Sequence, residues 1–240
     1  MSRSVQDALS AGFDYLQRIK NAPGMEARSA SGDRIYCPAL PYAVALYAFA
    51  MRRLEALGPA NAPIASWLKD CCDADGMVRF YGPSAEIIGP DLDDTALIWS
   101  ERAAYSGLAP PEPVEVALAQ SRCPSGAFNT WPSPPEDAPA VEEDAAVNAN
   151  ILALLGALGQ RDQPAEGYVN QHLDALTRGE TIACPYYPDA TILVILAYRA
   201  MRLGGLDERA LDAPDVEGIW GDIAGILGGD RGAALTRLLD

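Results

Sequence analysis

The chain has 240 residues, of which 49% are hydrophobic, so it can bury a sizeable core as one large domain or two small ones. Its 33 acidic residues against 18 basic ones give a net charge of -15, which disfavours nucleic acid and anionic membranes as partners. The five cysteines include no C-x-x-C pair, and no apolar run reaches the roughly 18 residues of a membrane span. We therefore expect a protein of the reducing cytoplasm without a disulfide framework.

The spacing of apolar residues predicts about ten helices and no convincing strand. The predicted helices cover residues 4–20, 40–54, 65–72, 91–106, 113–121, 144–158, 162–177, 189–203, 216–227 and 233–239. Stretches rich in glycine, proline and serine predict loops over residues 21–38, 73–90, 122–142 and 178–188. The fold class that this pattern predicts is all-α.

The predicted helices alternate in character along the chain. Helices that are apolar on every side begin near residues 40, 91, 144 and 189, and each is followed by a shorter or amphipathic helix. Buried helices paired with covering helices, at intervals of about 45 to 53 residues, are typical of an array of helical hairpins. The array could be an open solenoid or a closed α/α toroid (an α/α barrel). Long loops that all precede the inner helices favour the toroid, as a single domain over residues 1–240.

The stretch Pro90–Ala96 carries three acids, Asp91, Asp93 and Asp94, at the first turn of a predicted helix. Free backbone N–H groups and the helix dipole stabilise negative charge there. Asp91 as N-cap and Asp94 three residues later approximate a capping box, which leaves Asp93 unexplained. Three carboxylates this close repel one another, so at least one should keep its proton in a dry site. A capping role and a catalytic role are both open for these acids.

The sequence Asp-Leu-Asp-Asp-Thr-Ala at residues 91–96 resembles the Asp-x-Asp-Asp-Thr-Ala motif of class II terpene cyclases, the family of squalene–hopene cyclase and copalyl diphosphate synthase. In that family the middle Asp protonates a carbon–carbon double bond, or an epoxide, of a linear isoprenoid. The resemblance implies that Asp93 is the catalytic acid, supported by Asp91 and Asp94 of the same motif.

Two further stretches resemble the same family, in the same order along the chain. Gly126–Trp131 followed by Asp144–Leu152 is similar to a Gly-Gly-x-x-Thr-aromatic stretch before a Val-Asn-x-Asn-Val-Leu helix in copalyl and drimenyl diphosphate synthases. This implies that Asn148 or Asn150 hydrogen-bonds the catalytic Asp. The two lie about 200° apart on a helix, so we expect only one of them to do so. Cys184–Pro188 resembles the Tyr-Tyr-Pro stretch that heads another inner helix.

The resemblance covers residues 80–205 and corresponds to the family's β domain, the α/α toroid that carries the acid motif. At 240 residues we expect no γ domain of the kind that normally completes the active site in this family. The resemblance therefore leaves two arrangements open. Either the β domain acts alone, as in the single-β-domain cyclases of the family, or a partner protein or a second copy of the chain closes the site.

A carbocation formed in such a site needs a dry pocket, and aromatic faces stabilise it by about 0.5–2 kcal/mol each. The aromatic candidates for this role are Trp99, Phe128, Trp131, Tyr186 and Tyr187. Ordinary core packing is the other interpretation of these residues.

The diphosphate of an isoprenoid substrate would require Mg²⁺ held by oxygen ligands. Glu142, Glu143 and Asp144 are the candidate metal ligands, and a solvated acidic helix start is the alternative. We expect no organic cofactor. His172 is the only histidine, which argues against the zinc site of a protein prenyltransferase.

The sequence thus predicts a class II terpene cyclase, an isomerase that cyclises farnesyl or geranylgeranyl diphosphate by protonation and retains the diphosphate. The alternative is a non-catalytic toroid that binds an isoprenoid or a partner protein. The intact acid motif argues for the enzyme, because a scaffold has no need of a buried acid.

Overall fold

A computed structural model describes residues 26–28, 34–36, 62–80, 88–132, 141–182, 184–187 and 191–208. Six helices lie in this part of the chain: α1 (Ala62–Asp70), α2 (Leu92–Ser106), α3 (Glu112–Gln120), α4 (Ala145–Ala157), α5 (Gln163–Thr177) and α6 (Thr191–Leu203). They confirm the helices predicted between residues 65 and 203, and the described chain is mainly helical. The helices predicted over 4–20, 40–54, 216–227 and 233–239 lie outside the described residues.

A short antiparallel ribbon pairs β1 (Glu26–Arg28) with β2 (Arg34–Tyr36), with Ala27 opposite Ile35. The prediction of a chain without strands is therefore wrong inside the loop predicted over residues 21–38. The physical reason is length. Strands of three residues are too short to show the alternation of apolar and polar side chains by which a strand is recognised.

Helix α4 lies at the centre of the described helices. Its residues from Ala145 to Leu154 are all buried, because it packs against α2 and α6 and is covered by α5. A helix that meets neighbours on every side has no face left for water, which explains its apolar composition. The amphipathic α5 instead buries one side, which includes Val169 and Leu173. None of the described helices is long and apolar enough to cross a bilayer.

Two loops of the described chain, residues 72–78 and 122–128, share one backbone conformation. In each loop the second residue donates its N–H to the carbonyl oxygen of the sixth at 2.9 Å, and the first and last residues pair in a β-bridge. The fifth residue is a glycine with a positive φ, 81° at Gly76 and 93° at Gly126. Residues with a Cβ rarely adopt this conformation, which explains glycine at both positions.

The last residue of each loop is fixed to the helix that follows. Val78 donates its N–H to Oγ1 of Thr95 at 3.0 Å, and Phe128 donates its N–H to Oδ1 of Asn148 at 2.8 Å. Thr95 and Asn148 are each the fourth residue after an aspartate N-cap, in α2 and α4 respectively. The same position in two inner helices therefore receives the same hydrogen bond from the preceding loop.

Each loop glycine also lies against a proline at the start of the next covering helix. A Cβ added to Gly76 would lie 2.5 Å from Cγ of Pro111, and one added to Gly126 would lie 2.7 Å from Cβ of Pro164. Covering helix, loop and inner helix thus form one structural unit, which occurs in α1–α2 and again in α3–α4. The two copies establish a repeat of helical hairpins in this part of the chain.

We expect Gly126→Ala to lower the free energy of unfolding by about 2 kcal/mol or more, because it combines a strained φ with a contact to Pro164 that is too close. Gly179 is the matched control, since its φ is 75° and nothing lies within 4 Å of an added Cβ. Gly179→Ala should therefore cost only the strain, about 1 kcal/mol. Urea denaturation of both variants measures the difference. Equal losses would show that the glycine–proline contact does not stabilise the unit.

Candidate active site

Asp91 and Asp94 form a buried pair of carboxyl groups at the start of α2. Asp91 is the N-cap: its Oδ1 accepts the N–H of Asp94 at 2.7 Å, and the two side chains also hydrogen-bond each other. A hydrogen bond between two carboxyl groups needs a proton on one of them. Burial, followed by the charge of Asp93, raises the pKa of Asp91 to about 7. Burial, followed by the charge of Asp91, raises the pKa of Asp94 well above its usual range.

Asp93 receives a hydrogen-bond donor on each of its carboxyl oxygens. The side-chain amide of Asn150 donates through Nδ2 to Oδ1 at 2.7 Å, and the hydroxyl of Tyr187 donates to Oδ2 at 2.5 Å. The residue keeps some solvent exposure, but protein surrounds its carboxyl group. Burial raises the pKa of Asp93 to about 6, against the effect of the two donors, which lower it.

Sequence reasoning did not find Arg199, which completes this set of side chains. Arg199 is fully buried in α6, and its Nη1 donates to Oδ1 of Asn150 at 2.9 Å. It also forms an ion pair with the buried Glu101 of α2, with 3.0 Å between Nη2 and Oε1. The sequence did contain a signal for this residue. Arg199 is the only charged residue between Ile192 and Met201 in a strongly apolar run, and a buried arginine requires partners.

The two asparagines of α4 have different surroundings. Asn150 contacts Asp93, whereas Asn148 binds the backbone of the loop before α4. The Nδ2 of Asn148 donates to the carbonyl oxygens of Phe128 at 3.0 Å and of Asp144 at 2.9 Å, while its Oδ1 accepts the N–H of Phe128. The structure thus brings Asn150 to the acid, and Asn148 holds the loop.

Three of the aromatic candidates contact Asp93 or the acidic residues just before α4. Tyr187 reaches Asp93 through its hydroxyl group. Trp131 and Tyr186 lie edge to face, with ring centroids 6.0 Å apart and planes at 71°. The indole N–H of Trp131 donates to Oε2 of Glu142 at 3.2 Å, and the hydroxyl of Tyr186 donates to the same oxygen. Tyr186 is 37% exposed, so solvent reaches this end of the pair.

The other two aromatic candidates belong to the repeated unit. The indole N–H of Trp99 donates to the carbonyl oxygen of Gly76 at 2.6 Å, and the guanidinium of Arg102 lies 3.9 Å from the centre of its ring system. The guanidinium of Arg122 lies 3.8 Å from the ring centroid of Phe128. A guanidinium thus covers one face of each ring, and that face is not free for a substrate cation.

The side chains of Glu142, Glu143 and Asp144 do not meet at one point. Glu142 accepts the indole N–H of Trp131, Glu143 accepts the hydroxyl of Ser125 at 2.7 Å, and Asp144 caps α4 by accepting two backbone N–H groups. Consecutive residues before a helix point in different directions, which explains the separation. Among the described residues no group of three or more His, Cys, Asp or Glu side chains could hold a metal ion. The three acids therefore do not fit the Mg²⁺ site predicted for them.

No model of a known protein family matches the chain, and no curated protein matches it. A shielded carboxyl group with a raised pKa, and with donors placed on both of its oxygens, is suited to act as a general acid.

We expect Asp93→Asn to be more stable than the wild type at pH 8 and to have a smaller advantage at pH 5. The raised pKa means that the folded state holds the proton of Asp93 more tightly than the unfolded state does. The contribution of this carboxyl group to stability is therefore present at low pH and lost as the pH rises through about 6. The advantage of the variant should grow by about 1 kcal/mol between pH 5 and pH 8.

Urea denaturation at the two pH values measures this change. Asn148→Ala is the control, because it removes buried hydrogen bonds without removing a carboxyl group and should lose similar stability at both pH values. An advantage of Asp93→Asn that does not vary with pH would contradict a raised pKa at Asp93.

Proposed function

We propose that this chain is a class II terpene cyclase in which Asp93 donates the proton that starts cyclisation of a linear isoprenoid. One observation carries the proposal. Protein surrounds the carboxyl group of Asp93, its pKa is raised to about 6, and Asn150 and Tyr187 donate to its two oxygens. A shielded carboxyl group that binds its proton more tightly than usual, with donors in place for its conjugate base, is suited to protonate an alkene.

The hydrogen bonds of Asp93 indicate which oxygen carries the acidic proton. An amide N–H group is only a donor, so Nδ2 of Asn150 excludes the proton from the side of Oδ1 that it faces. Among these partners a protonated Asp93 has an acceptor only at Oδ2, where the hydroxyl of Tyr187 can turn from donor to acceptor, so we place the proton there. The π electron pair of the alkene takes this proton. A carbocation forms on the substrate, and a carboxylate remains at Asp93.

Asn150 and Tyr187 both stabilise the carboxylate that proton transfer leaves behind. Each donates to one oxygen, and a hydrogen bond to a charged group contributes on the order of 1.5–3 kcal/mol. Loss of a proton from the cyclised cation ends the reaction, and a proton returned to Asp93 restores the acid. The reaction is an isomerisation, because the substrate gains and loses one proton.

Farnesyl or geranylgeranyl diphosphate is the proposed substrate, with the diphosphate retained, and the resemblance of the motifs supports this choice. In this proposal the hydrocarbon end of such a molecule lies at Asp93, beside Tyr187. Binding of Mg²⁺ together with the diphosphate stays a prediction, and the proton transfer from Asp93 does not involve the metal ion.

The proposal includes a single α/α toroid over residues 1–240, located in the cytoplasm. Its active site either works alone or is closed by a partner protein or a second copy of the chain. Two facts support a ring of hairpins. The hairpin unit occurs twice in succession, and α4 packs between the inner helices α2 and α6, so consecutive inner helices are neighbours.

We expect the purified protein to convert farnesyl or geranylgeranyl diphosphate to a cyclic diphosphate, and Asp93→Asn to form none. Asp75→Asn is the control and should keep its activity, because Asp75 is an exposed loop residue. Gas chromatography–mass spectrometry of the dephosphorylated extracts, from reactions with and without Mg²⁺, identifies the product. Absence of product from both diphosphates and from neutral linear isoprenoids would favour the non-catalytic toroid.

The pH dependence of kcat/KM provides a second test of the acid. Only protonated Asp93 can react, so kcat/KM should fall about tenfold per pH unit above a pKa of about 6. Tyr187→Phe removes a donor to the carboxylate and should move this limb to higher pH. Ionisation of the substrate is the same with both proteins. If the pH above which kcat/KM falls is the same in Tyr187→Phe as in the wild type, the fall is due to ionisation of the substrate and not of Asp93.

A further inference from the structure

Arg199 connects three inner helices at the centre of the described chain. From α6, its Nε donates to Oε1 of Glu101 at 3.1 Å and its Nη2 donates to the carbonyl oxygen of Leu97 at 3.0 Å, both on α2. Nη2 also donates to the hydroxyl of Ser100 on α2. Nη1 is directed to α4, where it donates to Oδ1 of Asn150 at 2.9 Å. The guanidinium is therefore fixed on one helix and holds a side chain on another.

The side chain of Asn150 lies between Arg199 and Asp93. Its Oδ1 accepts from the guanidinium at 2.9 Å, and its Nδ2 donates to Oδ1 of Asp93 at 2.7 Å. Arginine has only donors, so the atom of the amide that faces Arg199 must be the oxygen. The nitrogen then faces Asp93. The orientation of the amide follows from the partner on its far side.

The same amide could bond Asp93 in the reverse orientation if nothing held it. A protonated Asp93 could then donate from Oδ1 to the amide oxygen of Asn150, and its proton would be directed at α4 instead of being on Oδ2. No donor from Asn150 would remain for the carboxylate formed after proton transfer. Both the position of the proton and the stability of the conjugate base therefore depend on the orientation of Asn150.

A buried ion pair contributes little net stability to a fold. Arg199 and Glu101 are both fully buried, and removal of two charges from water offsets most of their attraction, so an apolar pair of similar volume is often as stable. The polar link that Arg199 makes from α6 to α2 gives by itself no reason for an arginine at this position, because an apolar pair could replace it. Control of Asn150 gives one.

We propose that Arg199 is a positioning residue that holds the amide of Asn150 with its nitrogen towards Asp93, and so places the acidic proton on Oδ2. This inference rests on the proposed function for its catalytic meaning, but the orientation itself can be measured without turnover. The other charged or titratable groups that influence Asp93 are Asp91 and Asp94 of α2, Asp144 before α4 and the hydroxyl of Tyr187.

The test compares Arg199→Lys, which keeps the charge but loses the fork of donors, with Arg202→Lys on the same helix, where the arginine is exposed. The readout is the titration of Asp93 by ¹³C NMR of protein labelled at the aspartate carboxyl carbons. The Asp93 signal is the one that Asp93→Asn lacks. Loss of the Asn150 donor should raise the midpoint by about one pH unit in Arg199→Lys and leave it unchanged in Arg202→Lys.

A double-variant cycle separates positioning from general destabilisation. Asn150→Leu should raise the midpoint as Arg199→Lys does, and the variant with both changes should show no further rise, because the two residues act through one hydrogen bond. Additive shifts, or a midpoint in Arg199→Lys equal to that of the control, would overturn the proposal. In active protein Arg199→Lys should lower kcat at least tenfold with KM within twofold.

The wild-type protein provides a measurement that does not depend on the folding of Arg199→Lys. The side-chain NH₂ signal of Asn150, assigned by its loss in Asn150→Leu, should shift with pH at the midpoint of Asp93, because Nδ2 donates to that carboxyl group. An NH₂ signal that does not respond to this titration would overturn the orientation. If the wild type is inactive but the NH₂ signal of Asn150 follows the titration of Asp93, the proposed function is rejected and the positioning role of Arg199 stands.

Discussion

Desolvation at the start of α2 is the constraint on which the candidate site depends. Three carboxyl groups within four residues are withdrawn from water there. Burial raises the pKa of Asp91 to about 7 and that of Asp93 to about 6, and it raises the pKa of Asp94 well above its usual range. The three groups cannot all ionise, so the fold must hold protons at this point. Asp94 shares one with Asp91, and the donors around Asp93 determine how readily the other is released.

A comparison of equivalent positions in the two copies of the hairpin unit shows which side chains the fold requires. Both inner helices have an aspartate N-cap and a polar residue four positions later that accepts the loop N–H. The residue equivalent to Asp93 in the second copy is Ala146, and the residue equivalent to Asn150 in the first copy is Leu97. Because the unit folds with apolar side chains at those positions, Asp93 and Asn150 are not needed to build it. A function that uses a proton donor gives a reason for both.

Much of the local structure could be predicted from the sequence, since its causes are local. Apolar runs and helix breakers predicted all six described helices, and Asp91 as N-cap followed from its place before an apolar run. The convergence of Asp93 and Asn150 could be expected only from a resemblance to a family. The choice between Asn148 and Asn150 could not be predicted, because it depends on how far α4 is rotated about its axis, and neighbouring helices determine that rotation.

The chemistry of the side chains around the acid depends on contacts between residues far apart in sequence. The aromatic candidates were selected for their ring faces, yet Tyr187 meets Asp93 through its hydroxyl, 94 residues away along the chain. Arg199 lies 49 residues from Asn150 and 98 from Glu101, and neither spacing is a recognisable pattern. The repeat determines that consecutive inner helices are neighbours. Which side chains along these helices come into contact depends on how the helices pack. A charged residue in an otherwise apolar helix is the signal in the sequence for a contact of this kind, because its partners must lie on the neighbouring helices.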